Sequence, residues 1–317
     1  MRRSGILLLG IFGLAVFCGG QADSGGRFEG SLALTYENGY VLGWEDAFTY
    51  KTLILYRADA KPLYTIPVEG PDGHRYSVWA ADTDGAVVRA YHDRHFQGRI
   101  DLLDAAGTVI RTVDTGSYEA TRLTFAPDHS IWTVGYIYPH NSSSADFNVV
   151  RHYARTGEKL GEAVPWSQIE GENNPYTALQ SIVGASWVFA ASDRIGFVAL
   201  SNWGNSKWVE VAFSGTVLRQ YDLGPYDHEC FSPHAMTAHG EVYGQISKDR
   251  ALAGFGVLDR AKGSWAKITG YPKGWLIGTD GDRLVFAERV AEGKILHKVD
   301  GDALKQEAAV VSEASRH

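Results

Sequence analysis

The sequence predicts an all-β protein, a six-bladed β-propeller with four antiparallel strands in each blade. Two turn signals, each recurring about six times, and a shared period near 48 residues lead to this reading. The composition agrees with it: aromatic residues make up 12% of the 317-residue chain and there are 36 glycines, a mix that favours strands joined by tight turns over helices. Hydrophobic residues make up 44% and charged residues 21%, enough apolar material for a packed core.

The first signal is a turn dipeptide followed by a β-rich run. Asn38-Gly39 precedes YVLGW, Asp84-Gly85 precedes AVVRAY, and Asp128-His129 precedes SIWTVGY. Asp193-Arg194, His239-Gly240 and Gly281-Asp282 continue the series. The steps between successive copies are 46, 44, 65, 46 and 42 residues. Such dipeptides between alternating runs are the strongest short-range cue for a hairpin.

The second signal runs in phase with the first. It is a strand, a turn and a strand around Lys61, Gly107, Gly157, Gly215 and Gly263, with a poorer sixth copy around Gly301. Two alternating hairpins per period give four strands per unit, and six units fill residues 27–317. A repeated four-stranded sheet of this length is the signature of a propeller. One such sheet cannot bury both faces alone, but it can between two neighbours. The 65-residue step is long enough that seven blades stand as the alternative.

Ring closure needs a partner for the last blade. The alternating segment FEGSLALTY, residues 28–36, is expected to complete the sixth blade beside residues 294–299. Residues 303–315 read as a helix or a loose tail.

The first 22 residues read as a bacterial-type export signal. Arg2 and Arg3 precede an uninterrupted run from Ile6 to Phe17, and Gly20 and Ala22 offer the small side chains a signal peptidase inspects. Residues 23–317 then form one propeller domain, periplasmic or extracellular. Lipid anchoring through Cys18 is the minor alternative, since Phe17 departs from the lipoprotein pattern. No later stretch reaches membrane-spanning length, so no transmembrane span is expected in the mature chain. Cleavage removes two arginines and no acid, taking the formal charge from −7 to −9. An acidic chain argues against nucleic acid as partner.

Propeller geometry sorts the loops onto two faces. The turns within the first and third hairpins share one face, and in this chain they are short. The middle loops and the blade-to-blade connections share the other, and here they are longer and richer in polar and aromatic residues. Loops on a rigid scaffold are where binding usually resides. The candidate ligand contacts on that face are Tyr138, His140, Tyr176, Trp203, His92 and His95. The imidazole and carboxylate groups of His228, Glu229 and His234 are a further, metal-ligating possibility there.

In the segments FAPDHSIWTVGY (125–136) and LLDAAGTVIRTV (102–113), and in its repeat rhythm, the chain resembles the six-bladed propellers of the NHL and TolB-like type. That broad group includes binding scaffolds, lactonases and lyases, so the resemblance concerns architecture. The lactonase-like members imply a calcium ion held by a carboxylate and amides, for which Glu119, Asn173, Asn202 and Asp227 are the candidates. The lyase-like members imply a histidine acid/base, with His228 as candidate.

Two functions follow as expectations. The first is an exported binding module for a small molecule, a peptide or an envelope protein. The second is a hydrolase, lactonase or lyase, in its metal-assisted form with a divalent cation such as calcium at the channel mouth.

Overall fold

The computed structural model describes residues 26–29, 33–44, 52–69, 78–93, 95–137, 146–169, 179, 187–200, 205–225, 229–248, 251–268 and 274–304. Its strands fall into six consecutive antiparallel groups. Blade one is β1 (Ala33–Glu37), β2 (Tyr40–Trp44), β3 (Thr52–Arg57) and β4 (Pro62–Pro67). Blade two is β5 (Val78–Ala81), β6 (Val87–His92), β7 (Gly98–Leu103) and β8 (Val109–Gly116). Blade three is β9 (Tyr118–Phe125), β10 (Ile131–Ile137), β11 (Asn148–Tyr153) and β12 (Lys159–Pro165). Blade four is β13 (Val188–Ala190), β14 (Arg194–Leu200), β15 (Asn205–Ala212) and β16 (Val217–Pro225). Blade five is β17 (Glu229–Met236), β18 (Val242–Lys248), β19 (Ala251–Asp259) and β20 (Ser264–Ile268). Blade six is β21 (Trp275–Asp280), β22 (Arg283–Val290) and β23 (Gly293–Asp300).

All six first-hairpin turns fall at the dipeptides named above, and the second signal marks the β3–β4, β7–β8, β11–β12, β15–β16 and β19–β20 turns. The 65-residue step does not hide a seventh blade. It reflects the long connection from β12 to β13, which begins with a short 3-10 turn at Trp166–Gln168.

Six hydrophobic clusters occupy the six blade-to-blade interfaces. Leu42, Trp44 and Leu55 of blade one meet Trp79, Val87 and Leu103 of blade two. Ala90 and Ile100 of blade two meet Tyr118 and Leu123 of blade three, and Trp132 and Val149 of blade three meet Phe197 and Val209 of blade four. Trp208 of blade four meets Phe231 of blade five, and Phe255 of blade five meets Phe286 of blade six. The last cluster joins Val285 and Leu296 of blade six to Phe28, Tyr36 and Tyr56. Each sheet is thus buried on both faces by its neighbours, as a radial stack requires.

The ring closes in two places. On the inside, β1 and β21 pair in parallel at Tyr36 and Gly278, merging blades one and six into one seven-stranded sheet. On the outside, Phe28 bridges Lys294 of β23 and supplies the fourth position of blade six. This divides the segment 28–36 differently from the sequence expectation. Only its start lies beside β23. Ala33–Glu37 is instead the innermost strand of blade one, because the Asn38-Gly39 turn folds it back onto β2 with Glu37 opposite Tyr40. The weak sixth copy of the second signal has the same cause. With its edge filled from the N-terminal side, β23 is followed by a helical turn at 301–304, where a hairpin would have been redundant.

Three glycines of the second signal, Gly107, Gly157 and Gly215, have a packing reason, whereas Gly263 has open space around it. Gly107 has φ +80°, and a Cβ there would lie 2.5 Å from the Tyr64 ring on the outer strand of the preceding blade. Gly157 repeats the relationship one blade later, against Val113. The turn therefore needs both the left-handed backbone and the missing side chain.

Buried ion pairs tie neighbouring blades. Glu210 of blade four receives Arg194 of its own blade at 3.2 Å and Arg260 of blade five at 3.1 Å. Asp82 of blade two meets His129 at 2.9 Å and Arg155 at 2.8 Å, both from blade three.

Candidate functional site in the central channel

A cavity of ≈ 350 Å³ runs along the propeller axis, between the innermost strands. Period-two alternation marks its wall. In β1 the burial alternates: Leu34 and Tyr36 are buried in the interface with blade six, Ala33, Thr35 and Glu37 are only partly buried, and all five border the cavity. In β21 Trp275, Ile277 and Thr279 are the less buried lining residues, alternating with the buried Leu276 and Gly278. Thr124 of β9, Trp187 and Phe189 at β13, and His234 of β17 complete the wall. Lys294 stands at the end where β22 meets β23. Trp275 remains 54% exposed, an unusual state for the largest side chain of an inner strand.

Three polar groups face this space with little support from the protein. Glu37 accepts one hydrogen bond, from the Ala81 N–H to Oε2 at 3.0 Å. Burial outweighs that bond and pushes its carboxyl up to about 8. Neither ring nitrogen of His234 has a hydrogen-bond partner among the described residues, and burial pushes the imidazole down to about 4. The Trp187 Nε1–H is buried and unpartnered among the described residues. Behind it, the Arg122 guanidinium sits 6.0 Å from the indole centroid, and burial lowers it to about 9. At neutral pH the carboxyl and the imidazole are thus both uncharged. An unpartnered polar group away from water costs free energy that a ligand can recover.

A second cluster lies at the start of β9. The buried Glu119 carboxylate accepts the Tyr136 hydroxyl at 2.9 Å through Oε2 and meets His92 Nδ1 at 3.1 Å through Oε1. The hydrogen bond that His92 donates to Glu119 raises the imidazole above its ordinary range. The His92 ring stacks on Phe96 at 5.5 Å. A tight turn holds Phe96 at φ +57°: the Phe96 N–H donates to Asp93 O at 2.9 Å, and Asp93 Oδ1 accepts from the N–H groups of His95 and Gln97. With Nδ1 directed at Glu119, the Nε2 edge is the one left for a ligand.

The structure therefore brings together two residues to which the sequence assigned separate roles, His92 as a ligand contact and Glu119 as a calcium ligand. A cation at Glu119 would have to draw the carboxylate away from His92 and Tyr136. His95 lies in the same turn with its side chain exposed. Among the described residues no group of three or more His, Cys, Asp or Glu side chains is placed to hold a metal ion. Tyr138, His140, Asn173, Tyr176, Asn202, Trp203, Asp227 and His228 lie outside the described residues.

Sequence reasoning missed Glu37, Thr35, Trp187 and Trp275, because it looked for the site in the loops. The available signal was the alternation in β1, where the polar Thr35 and Glu37 interleave with the apolar Leu34 and Tyr36.

The fold and channel define a six-bladed propeller with a ligand-sized axial cavity. No family model matches the chain, and no curated protein does. Among solved structures it is similar to a GH74 xyloglucanase from Xanthomonas campestris, at 14% identity and TM-score 0.48, over 87% of this chain and 44% of that one. It is similar to the PQQ-bound aldose sugar dehydrogenase from Streptomyces coelicolor, at 13% identity and TM-score 0.41, over 86% and 95%. It is also similar to the Neurospora crassa Pan2 WD40 domain, at 9% identity and TM-score 0.42, over 84% and 74%. The blade count rests on the strand order and the six interface clusters. No helix among the described residues is long and apolar enough to cross a membrane.

Proposed function

We propose that this chain is an exported β-propeller of the NHL or TolB-like type that binds a small molecule inside its central channel. The observation that carries the reading is the channel wall itself: inside an aromatic enclosure, Glu37 has a single backbone N–H as partner, and His234 and the Trp187 N–H have none among the described residues. Specific small-molecule sites have this make-up, a mostly apolar cavity with a few polar groups converging on it, and occupy about 300–1,000 Å³. Export is supported by the Arg2-Arg3 start and the apolar run to Phe17.

The test is a library of small uncharged ring compounds screened by the shift in melting temperature. A compound that binds only the folded state raises it by mass action. Hits are expected with the native chain and are expected to vanish in Thr35→Trp, which fills the channel. Finding no hits, or hits indifferent to Thr35→Trp, overturns the proposal.

One observation favours a second reading, an enzyme of the hydrolase or lyase class. A buried carboxylate that holds Nδ1 of a half-exposed histidine orients it for proton transfer through Nε2. On this reading His92 is the acid/base, Glu119 its positioning residue, and a lactone panel reveals turnover that His92→Gln abolishes. Failure of every lactone and ester in the panel would count against it.

A further inference from the structure

Resting on the channel reading above, we infer that the ligand is a neutral carbohydrate, bound with a sugar ring against Trp275 or Trp187 and its hydroxyls on Glu37, His234 and the wall threonines.

The argument compares what the wall offers with what each ligand class needs. A purely apolar ligand would leave the Glu37 carboxyl with its one bond from Ala81, and the His234 nitrogens and the Trp187 N–H with none, a substantial loss. An organic cation would be drawn to the indole faces, but Arg122 already lies over Trp187, and its positive charge stands directly behind that wall. An organic anion would be drawn to Lys294 at one end of the cavity, but the groups converging inside, the protonated Glu37 and the neutral His234, offer it no charge to pair with.

A neutral sugar meets none of these penalties. Its axial C–H groups form an apolar face that packs on an indole, and its hydroxyls both donate and accept. A protonated carboxyl and a neutral imidazole are likewise donor and acceptor at once, so they match hydroxyls in either direction. Thr35 and Thr124 add hydroxyls to the same wall. The ≈ 350 Å³ of space suits one or two sugar rings and excludes a long chain. Trp275, 54% exposed at an inner strand, offers an accessible indole face for such a ring.

The experiment uses the full mature chain and calorimetric titration, with intrinsic tryptophan fluorescence as a second readout. The probes are glucose, xylose, maltose and cellobiose, set against glucuronate, glucosamine and indole. At least one neutral sugar is expected to bind and to change the fluorescence. Trp275→Ala should weaken it at least tenfold, and Trp275→Phe should restore part of the loss. The exposed position of Trp275 keeps these variants folded, which an unchanged melting temperature verifies. Binding of indole, glucuronate or glucosamine more tightly than every neutral sugar overturns the sugar assignment and leaves the channel reading standing. Silence from all seven probes and from the uncharged library overturns both.

Discussion

Phe28 and Lys294 exchange both backbone hydrogen bonds, at 2.9 Å from Phe28 N to Lys294 O and 2.8 Å from Lys294 N to Phe28 O. These two bonds join opposite ends of the chain, and the Phe28 ring seals the joint. It is 1% exposed and packs edge-on against Tyr56 of blade one at 5.3 Å. Phe28→Ala is expected to cost about 3–5 kcal/mol, the usual loss for a fully buried aromatic. Denaturant unfolding at equilibrium measures it. A loss below about 1 kcal/mol would mean that blade six is held by its other contacts.

Glu210 is the buried anion between blades four and five. It is 1% exposed and is bonded by Arg194, Arg260 and, at 3.0 Å, the Trp208 indole N–H. Removing the carboxylate leaves the buried Trp208 N–H without its acceptor and takes the anion from Arg260, while Arg194 keeps Asp193. Glu210→Ala is expected to cost about 2–3 kcal/mol in the same measurement. Arg260→Ala should cost less, because Arg194 and Trp208 still satisfy the carboxylate.

Gly107→Ala combines two penalties that can be separated. One is the left-handed backbone at φ +80°, and the other is the encounter with the Tyr64 ring. The pair should lower stability by about 2 kcal/mol or more. Since Tyr64 is the obstacle only for the second penalty, Gly107→Ala in a Tyr64→Ala background should cost about 1 kcal/mol, the conformational part alone. A double-mutant cycle reads the difference directly, and equal costs in both backgrounds would show that the ring yields freely.

These three sites show what was legible before the coordinates. Gly107 was visible as a repeat, because the same contact with the preceding blade recurs and imposes the same residue. The Asn38-Gly39 and Asp84-Gly85 turns were visible for a similar reason: a tight hairpin turn restricts backbone angles locally, with Gly39 at φ +91° and Gly85 at φ +84°. Phe28 was only partly legible. Its segment alternates, but whether a strand lies beside β23 or β2 depends on the ring closing, which no local pattern encodes. The channel was the least legible. Glu37 sits one residue before a turn, where an acid is ordinarily solvated, and only the assembled ring makes it an inner-wall residue. His92 and Glu119 are 27 residues apart and belong to different blades, so their pairing appears only when blades two and three stack.

The pH dependence of stability isolates the channel pair. Burial raises Glu37 from an ordinary 4.5 to about 8, so its contribution is full below pH 4.5 and is lost as pH rises through 8. Burial lowers His234 from 6.5 to about 4, so its contribution is full above pH 6.5 and is lost as pH falls through 4. Between pH 4.5 and 6.5 the two slopes oppose and cancel. From pH 6.5 to 8 Glu37 acts alone, and the native chain should lose roughly 2 kcal/mol at about 1.4 kcal/mol per pH unit. Glu37→Gln should abolish that alkaline decline and turn the plateau between pH 4.5 and 6.5 into a rise, because the His234 slope is then unopposed. His234→Gln should turn the plateau into a decline beginning near pH 4.5. Stability curves from urea unfolding across this range check both, and an alkaline decline that survives Glu37→Gln would place its origin outside the channel.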